Sequence, residues 1–300
     1  MTSIFVFGLF PEDSGKTVIS TAIARGLLNE GSRVGVFKPR SGHNLWYQYE
    51  SFLKCKSEGI LFCEDIMKLM EASRCYLSPE ILNPIDALMS VFNVETFLKR
   101  RRVGQMYILE SEVFSHLVVE RYTILEDGEV RRILLINERN LKGDLTLLDS
   151  DYIERLEANS DQVIALKSLN EWSSLYRSLA PTSIRSCYDT LNKKFEDIVI
   201  EGYNDAIAPD FQLIRDVDIV VGVAPGVALF YDSGEFKKLI DTLRSLGRDP
   251  ASLRAEDVIR YLKYYEVFKV PPIPRERLTD YDELCRRLKT IVDHVKSGLK

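Results

Sequence analysis

Residues 8–17, Gly-Leu-Phe-Pro-Glu-Asp-Ser-Gly-Lys-Thr, carry the densest chemistry in the chain. They follow a short hydrophobic run and open a stretch with helical spacing, which is the context a phosphate-binding loop requires. The main-chain N–H groups of such a loop, together with the positive end of the helix dipole, hold phosphate oxygens. A lysine at position 16 then reaches the β- and γ-phosphates of a nucleoside triphosphate, and the hydroxyl of Thr17 supplies a magnesium ligand. Strict G-x-x-x-x-G-K-T spacing is not met, because Gly8 stands seven positions before Gly15 and Phe10 occupies the place of the usual first glycine. The competing reading is a chance Gly-Lys-Thr in a strand-to-helix turn; the strand before it and the helix after it favour the phosphate loop (P-loop).

The elements that must position this loop are legible on either side of it. Residues 3–8 read as a buried strand, and residues 16–30 place Val18, Ile19, Ala22, Ile23, Leu27 and Leu28 at helical spacing. Gly31 is a helix terminator, and residues 33–38 form a second strand, completing a parallel, right-handed crossover unit. Residues 197–201 and 217–223 have the β-branched density of central parallel strands covered on both faces. A further helix is expected from about Ala255 to Tyr265, leading into residues 267–270 and the segment Pro271-Pro272-Ile273-Pro274.

The middle of the chain has a different character. Glu126-Asp127-Gly128-Glu129 is a hairpin signal between arms at residues 118–125 and 130–136. The expected fold is therefore α/β, a doubly wound, mainly parallel sheet of the P-loop NTPase type. A single domain spans residues 1–300, with an antiparallel hairpin region inserted at about 95–150. The run Lys99-Arg100-Arg101-Arg102 reads as a solvated helix end in preference to an anion site.

Composition excludes several function classes. Three hundred residues, 45% of them hydrophobic, suffice for a packed core. A formal net charge of −5 argues against a chain-wide nucleic-acid footprint. No apolar stretch approaches the roughly 20 residues that cross a bilayer, and Thr2–Phe7 enters a strand without a basic n-region or cleavage site. A cytoplasmic protein with neither membrane nor nucleic-acid partners is expected. The five cysteines form no C-x-x-C pair and the three histidines are dispersed, so a zinc site has no support.

Taken motif by motif, the N-terminal region resembles dethiobiotin synthetase and its P-loop relatives, which include the cobyrinic acid a,c-diamide synthetases. Asp13-Ser14-Gly15-Lys16-Thr17 matches the end of the family's phosphate loop, and Lys38-Pro39-Arg40-Ser41-Gly42 resembles its Lys-Pro-x-x-Ser/Thr-Gly motif with one residue fewer between Pro39 and Ser41. Asp65 resembles the family's magnesium-ligating aspartate, Asn83-Pro84 follows, and Glu201-Gly202 resembles the end of its Val-Glu-Gly strand. Residues 221–223 resemble the next strand, and Pro271-Pro272-Ile273-Pro274 resembles the segment beside the nucleotide base. Residues 87–93 hold no counterpart of the family's Ser-Pro-His stretch, and Tyr203-Asn204-Asp205 replaces its small residues after Glu-Gly. The resemblance is that of a divergent member.

It implies ATP and Mg2+ as cofactors. Asp13, Ser14, Gly15, Lys16, Thr17 and Val18 then bind the nucleotide, and Thr17, Asp65 and Glu201 ligate the metal. Lys16 and Lys38 are catalytic, and Ser41 faces the substrate. The physical logic agrees: magnesium triphosphate needs a cation at the γ-phosphate, a hydroxyl and carboxylates at strand ends, and Lys38 at the end of the second strand can neutralise a phosphoryl group in transfer. Asp65 taken alone also reads as a helix cap. The activity implied is ATP-dependent ligase-like chemistry on a carboxylate, carbamate or amine of unknown identity, with a possible homodimer. The alternative is a nucleotide-dependent ATPase switch or scaffold acting through a protein partner.

Overall fold

A computed structural model describes residues 2–298. Eleven strands form in chain order: β1 (Thr2–Gly8), β2 (Val34–Phe37), β3 (Arg40–Asn44), β4 (Ile85–Met89), β5 (Leu117–Glu126), β6 (Glu129–Asn137), β7 (Gln162–Leu166), β8 (Asp197–Glu201), β9 (Ile219–Ala224), β10 (Val227–Tyr231) and β11 (Tyr264–Lys269). They make two sheets, and the chain parts into two compact units. The first comprises residues 1–40, 65–82 and 188–300, and the second residues 41–64 and 83–187. The protein is α/β. The insertion expected at about 95–150 falls inside the second unit, which also takes in residues 41–64, 83–94 and 151–187.

The first unit is built on a six-stranded sheet ordered β11-β10-β9-β1-β8-β2. β1 runs parallel to both β8 and β9, β2 runs parallel to β8, and β10 and β11 close one side as antiparallel strands. The apolar runs expected at the centre are there. Residues 3–8 of β1 and all of β2 and β8 are buried, so these strands are covered on both faces and have no polar alternation. Phe5 and Phe7 project to one face, where both rings pack on Phe236 of the helix Ser233–Ser245. Burying side chains of this size contributes about 1.5–3 kcal/mol each. The helix α1 (Lys16–Asn29) packs against β1, β2 and β8, and Gly31 takes the left-handed φ of +91° that ends it.

One element differs from expectation. The helix at 255–265 is only Ala255–Val258, and Tyr264–Lys269 is instead the outer strand β11. Pairing with β10 supplies main-chain partners to a segment whose Tyr264, Tyr265, Val267 and Phe268 are strand formers, and this outweighs the helical start signal.

The second unit is a five-stranded sheet ordered β3-β4-β5-β6-β7. The hairpin read from the sequence is β5 and β6, turning through Asp127 and Gly128 at φ +52° and +88°, the paired positive values of a tight type I′ connection. It stands in the middle of the sheet, with β4 antiparallel beside β5 and β7 parallel beside β6. A lone two-stranded ribbon is marginal in water, and these neighbours stabilise it. Polar residues on the buried β5 are satisfied. The Arg121 guanidinium donates to the main-chain oxygens of Leu61, Asn83 and Pro84, and Glu120 accepts from Trp172 Nε1 at 2.5 Å and Tyr122 Oη at 2.7 Å. Among the described residues no helix is long and apolar enough to cross a membrane.

The second unit also buries an ion pair. His43 Nδ1 lies 2.9 Å from Asp86 Oδ2 with both side chains fully enclosed, a close contact whose angle is outside that of a hydrogen bond. Burial works against the imidazolium, but the Asp86 charge outweighs it and the His43 pKa is pushed up to about 10 from 6.5. Because the folded value exceeds the unfolded one, this stabilisation is complete below about pH 6.5 and fades as the pH rises toward 10. Asp86→Asn is expected to cost about 3 kcal/mol in urea unfolding at pH 6. The gap between wild type and His43→Gln should narrow steadily from pH 6 to pH 10; a gap that stays constant across that range rules out a charged His43.

Candidate functional site

The first unit's parallel strands all end on one side of the sheet, and the sequence-predicted residues gather there. β1 ends at Gly8 and feeds the loop 9–15, β8 ends at Glu201, and Lys38 follows the last residue of β2. In sheets of this kind the crevice beyond the carboxyl ends of the strands is where ligands sit.

The loop is shaped by its own side chain. Ser14 Oγ donates to the Phe10 main-chain oxygen at 2.7 Å and accepts from the Phe10 N–H at 3.3 Å, closing residues 10–14 into a compact turn. Asp13 and Gly15 have φ of +50° and +85°, and Ser14 between them does not share that sign. Alternating handedness of this kind turns successive N–H groups toward one side and makes a concavity for an anion. Gly15 is the N-cap of α1, no side chain caps that end, and the first turn contains no acid. The positive end of this 14-residue helix thus has no side-chain cap and no acid of its own, although the Asp65 and Glu201 carboxylates accept from the Thr17 hydroxyl in its first turn.

Gly8 explains the unusual spacing. A Cβ there would lie 2.7 Å from Ser14 Oγ and 2.9 Å from the main-chain oxygens of Phe10 and Asn204. The first glycine is needed where the chain leaves β1, and the loop accommodates its extra residues by folding back on Ser14.

Four side chains from separate parts of the sequence converge behind the loop. Lys38 Nζ donates to Asp65 Oδ2 at 2.5 Å and to Glu201 Oε1 at 2.6 Å. Thr17 Oγ1 lies 3.2 Å from Asp65 Oδ1 and 3.1 Å from Glu201 Oε1, sharing its proton between them. The two carboxylates are therefore bridged twice, once by an ammonium and once by a hydroxyl. Lys38 is held in place by its N–H, which donates to the Leu82 oxygen at 2.8 Å, and by Pro39, which favours extended backbone at the residue before it. Asp65 is the second residue of the helix Glu64–Ser73, and its carboxylate is committed to Lys38 and Thr17, so the reading of it as a mere cap does not describe it.

Burial grades across the cluster. Glu201 is fully enclosed, Lys38 nearly so, and the Asp65 side chain is 38% exposed, which puts the opening on the Asp65 side. Burial opposes the Asp65 charge, yet the Lys38 ammonium overcomes it and holds the carboxyl below its ordinary range. Lys16 is pushed the other way: burial, then repulsion from Lys38, lowers its pKa, against the attraction of Glu201, Asp65 and Asp205. An anion beside Lys16 would relieve that strain on its charge.

A cleft of about 370 Å³ opens next to the loop. Asp13, Ser14, Gly15 and Val18 form one side, Val223–Gly226 another, and Val270–Ile273 with Leu278 the rest. The loop before α1 and the segment Pro271-Pro272-Ile273 thus line one cleft. Pro225, Gly226 and Leu278 were not anticipated; the Pro-Gly pair at a strand end is the signal that could have drawn attention to that turn. Ser41 lies in the second unit, buried, with its hydroxyl donating to Asn83 Oδ1 at 2.9 Å and in close contact with Asp86.

All the donors at the cluster are oxygens, and Glu201 Oε2 is buried with no hydrogen-bond partner. Among the described residues no group of three or more His, Cys, Asp or Glu side chains is gathered as a metal cage. Two carboxylates and a hydroxyl suit magnesium that keeps its other positions for phosphate and water. Compared with protein-family models and with characterised proteins, the chain matches none.

Gly8→Ala is expected to lower stability by about 1–3 kcal/mol through overpacking. Thermal unfolding checks this, and an unchanged midpoint would mean that the loop does not need glycine where β1 ends.

Proposed function

We propose that this chain is a P-loop protein that binds ATP with magnesium and uses it in ligase-like chemistry, activating a carboxylate or carbamate for attack by an amine. The observation that carries this reading is the convergence of Thr17, Lys38, Asp65 and Glu201 behind an uncapped helix N-terminus. Residues distant in sequence meet with the mix of charge and oxygen donors that magnesium triphosphate needs.

In this reading the main chain at 14–17 holds the phosphates, and Lys16 bonds the β- and γ-oxygens, whose negative charge offsets the burial that disfavours its own. Thr17, Asp65 and Glu201 hold Mg2+, which draws electron density from the phosphate oxygens. Lys38 leaves its carboxylates to offset charge on the phosphoryl group in transfer. The cleft beside Pro271-Pro272-Ile273 takes the nucleobase between apolar walls, with Asp13 and Ser14 as the polar side chains at its edge. The resemblance to dethiobiotin synthetase supports a ligase; the altered residues after Glu201 and at 87–93 point to a different substrate.

A second reading, a nucleotide-dependent switch that works through a protein partner, draws on the second unit. Its hairpin arm β5 is buried, but the segment 94–113 exposes Val94, Leu98, Tyr107, Ile108 and Val113. Exposed apolar side chains in one segment suit a docking role.

Calorimetry with ATP, GTP and ADP in magnesium separates the possibilities. Lys16→Ala and Thr17→Ala should each abolish magnesium-nucleotide binding without unfolding the protein, and unchanged affinity in both would remove the P-loop assignment. Lys38→Ala should bind ATP with near-normal affinity and lose turnover. ATP turnover that depends on an added amine and bicarbonate supports the ligase; turnover that depends on neither supports the switch.

A further inference from the structure

The Lys38 ammonium occupies the space between the two carboxylates that Mg2+ would use. Its Nζ stands 2.5 Å from Asp65 Oδ2 and 2.6 Å from Glu201 Oε1, distances of strong, charge-assisted hydrogen bonds. The lysine is 3% exposed and Glu201 is fully enclosed, so neither charge is screened by water. A divalent cation entering this space meets a buried positive charge a few ångströms away. Coulomb repulsion there is strong, and three of the four carboxylate oxygens are already engaged, Glu201 Oε2 being the exception.

We propose that Lys38 is a built-in counter-cation that closes the Asp65–Glu201 site to free divalent metal, so that the metal enters only together with a polyphosphate. The polyphosphate gives Lys38 another anionic partner, the ammonium shifts to it, and the two carboxylates are released to the incoming cation. No covalent bond changes; the two ion pairs of Lys38 are exchanged for contacts of the ammonium with the polyphosphate and of the carboxylates with the cation. The arrangement has a second consequence: in the absence of nucleotide the buried carboxylates are never left uncompensated, which is what keeps the empty cluster stable. The inference rests on the magnesium-nucleotide reading of this site, and its test separates the two.

The test uses Mn2+ as the probe, read by the paramagnetic signal of free ion, on the full chain with no nucleotide present. Wild type should show no specific Mn2+ site at micromolar concentrations. Lys38→Met should gain one site, at least about tenfold tighter than any in wild type, and Lys38→Met/Glu201→Gln should lose it again. Wild type should nevertheless bind Mn2+ once ATP is added. If wild type without nucleotide binds Mn2+ as tightly as Lys38→Met, or if Lys38→Met gains nothing, the closure is wrong, whatever ATP does. If Lys38→Met gains its site but wild type never binds Mn2+ with ATP, the closure stands and the nucleotide reading fails. Should Lys38→Met not fold, the wild-type protein decides alone through the Lys38 Nζ resonance in lysine-¹⁵N-labelled material. Addition of Mg2+ alone should leave that resonance unmoved and Mg2+ with ATP should shift it; a shift on Mg2+ alone overturns the proposal.

Discussion

A lysine ammonium wedged between two carboxylates is the contact on which the rest of the first unit depends. Glu201 is enclosed at the end of a buried strand, and a bare carboxylate there costs several kcal/mol. Lys38 removes that cost only because β2 and β8 are parallel neighbours ending at the same level, with Phe37 beside Ile200. Parallel pairing is in turn possible only when the connections lie off the sheet, which α1 provides between β1 and β2. The ion cluster and the sheet topology are thus two statements of one constraint. A slip of one residue in the β2–β8 register would turn Lys38 or Glu201 to the opposite face and leave the other charge unpaired.

The same constraint explains why the loop before α1 is built as it is. With Lys16 and Lys38 together set against the two carboxylates, the uncapped end of α1 adds positive potential to the crevice. A capping serine or aspartate would have stabilised the helix by about 1 kcal/mol. Ser14, the side chain nearest that position, bonds backward to Phe10 instead. Stability is given up where an anion can restore it, a pattern expected of binding sites and not of helix ends that serve only the fold.

Much of this was legible beforehand, for identifiable reasons. β1, β8 and β9 announced themselves because strands covered on both faces are continuously apolar, and the hairpin did because Asp127-Gly128 suits only a tight turn with positive φ. Lys16 and Thr17 could be named because they stand where a strand gives way to a helix, whereas Lys38, Asp65 and Glu201 are named by the family resemblance, with their places at element ends as supporting physical logic. Their mutual contacts were not legible, since Lys38–Asp65 and Thr17–Glu201 depend on which strand lies beside which. The helix expected to reach Tyr265 stopped at Val258 for the related reason that β10 offered an edge no local pattern could reveal. The second unit also takes in residues 41–64 and 151–187, whose places beside β4 and β6 are set by the pairing of the sheet and not by local pattern.

The two units handle buried charge in different ways, and the difference bears on function. In the second unit the network on β5 is internally committed: Arg121 to three main-chain oxygens, and Glu120 to Trp172 and Tyr122. Such a network specifies a single packing, while the enclosed His43–Asp86 pair is held by charge, outside hydrogen-bond geometry. In the first unit Glu201 keeps one oxygen with no hydrogen-bond partner, Lys16 is charged against its surroundings, and α1 begins without a cap. Each of these is unfavourable alone, and all three stand at the crevice beyond β1, β8 and β2, where the proposed function has a polyanion with its cation relieve them.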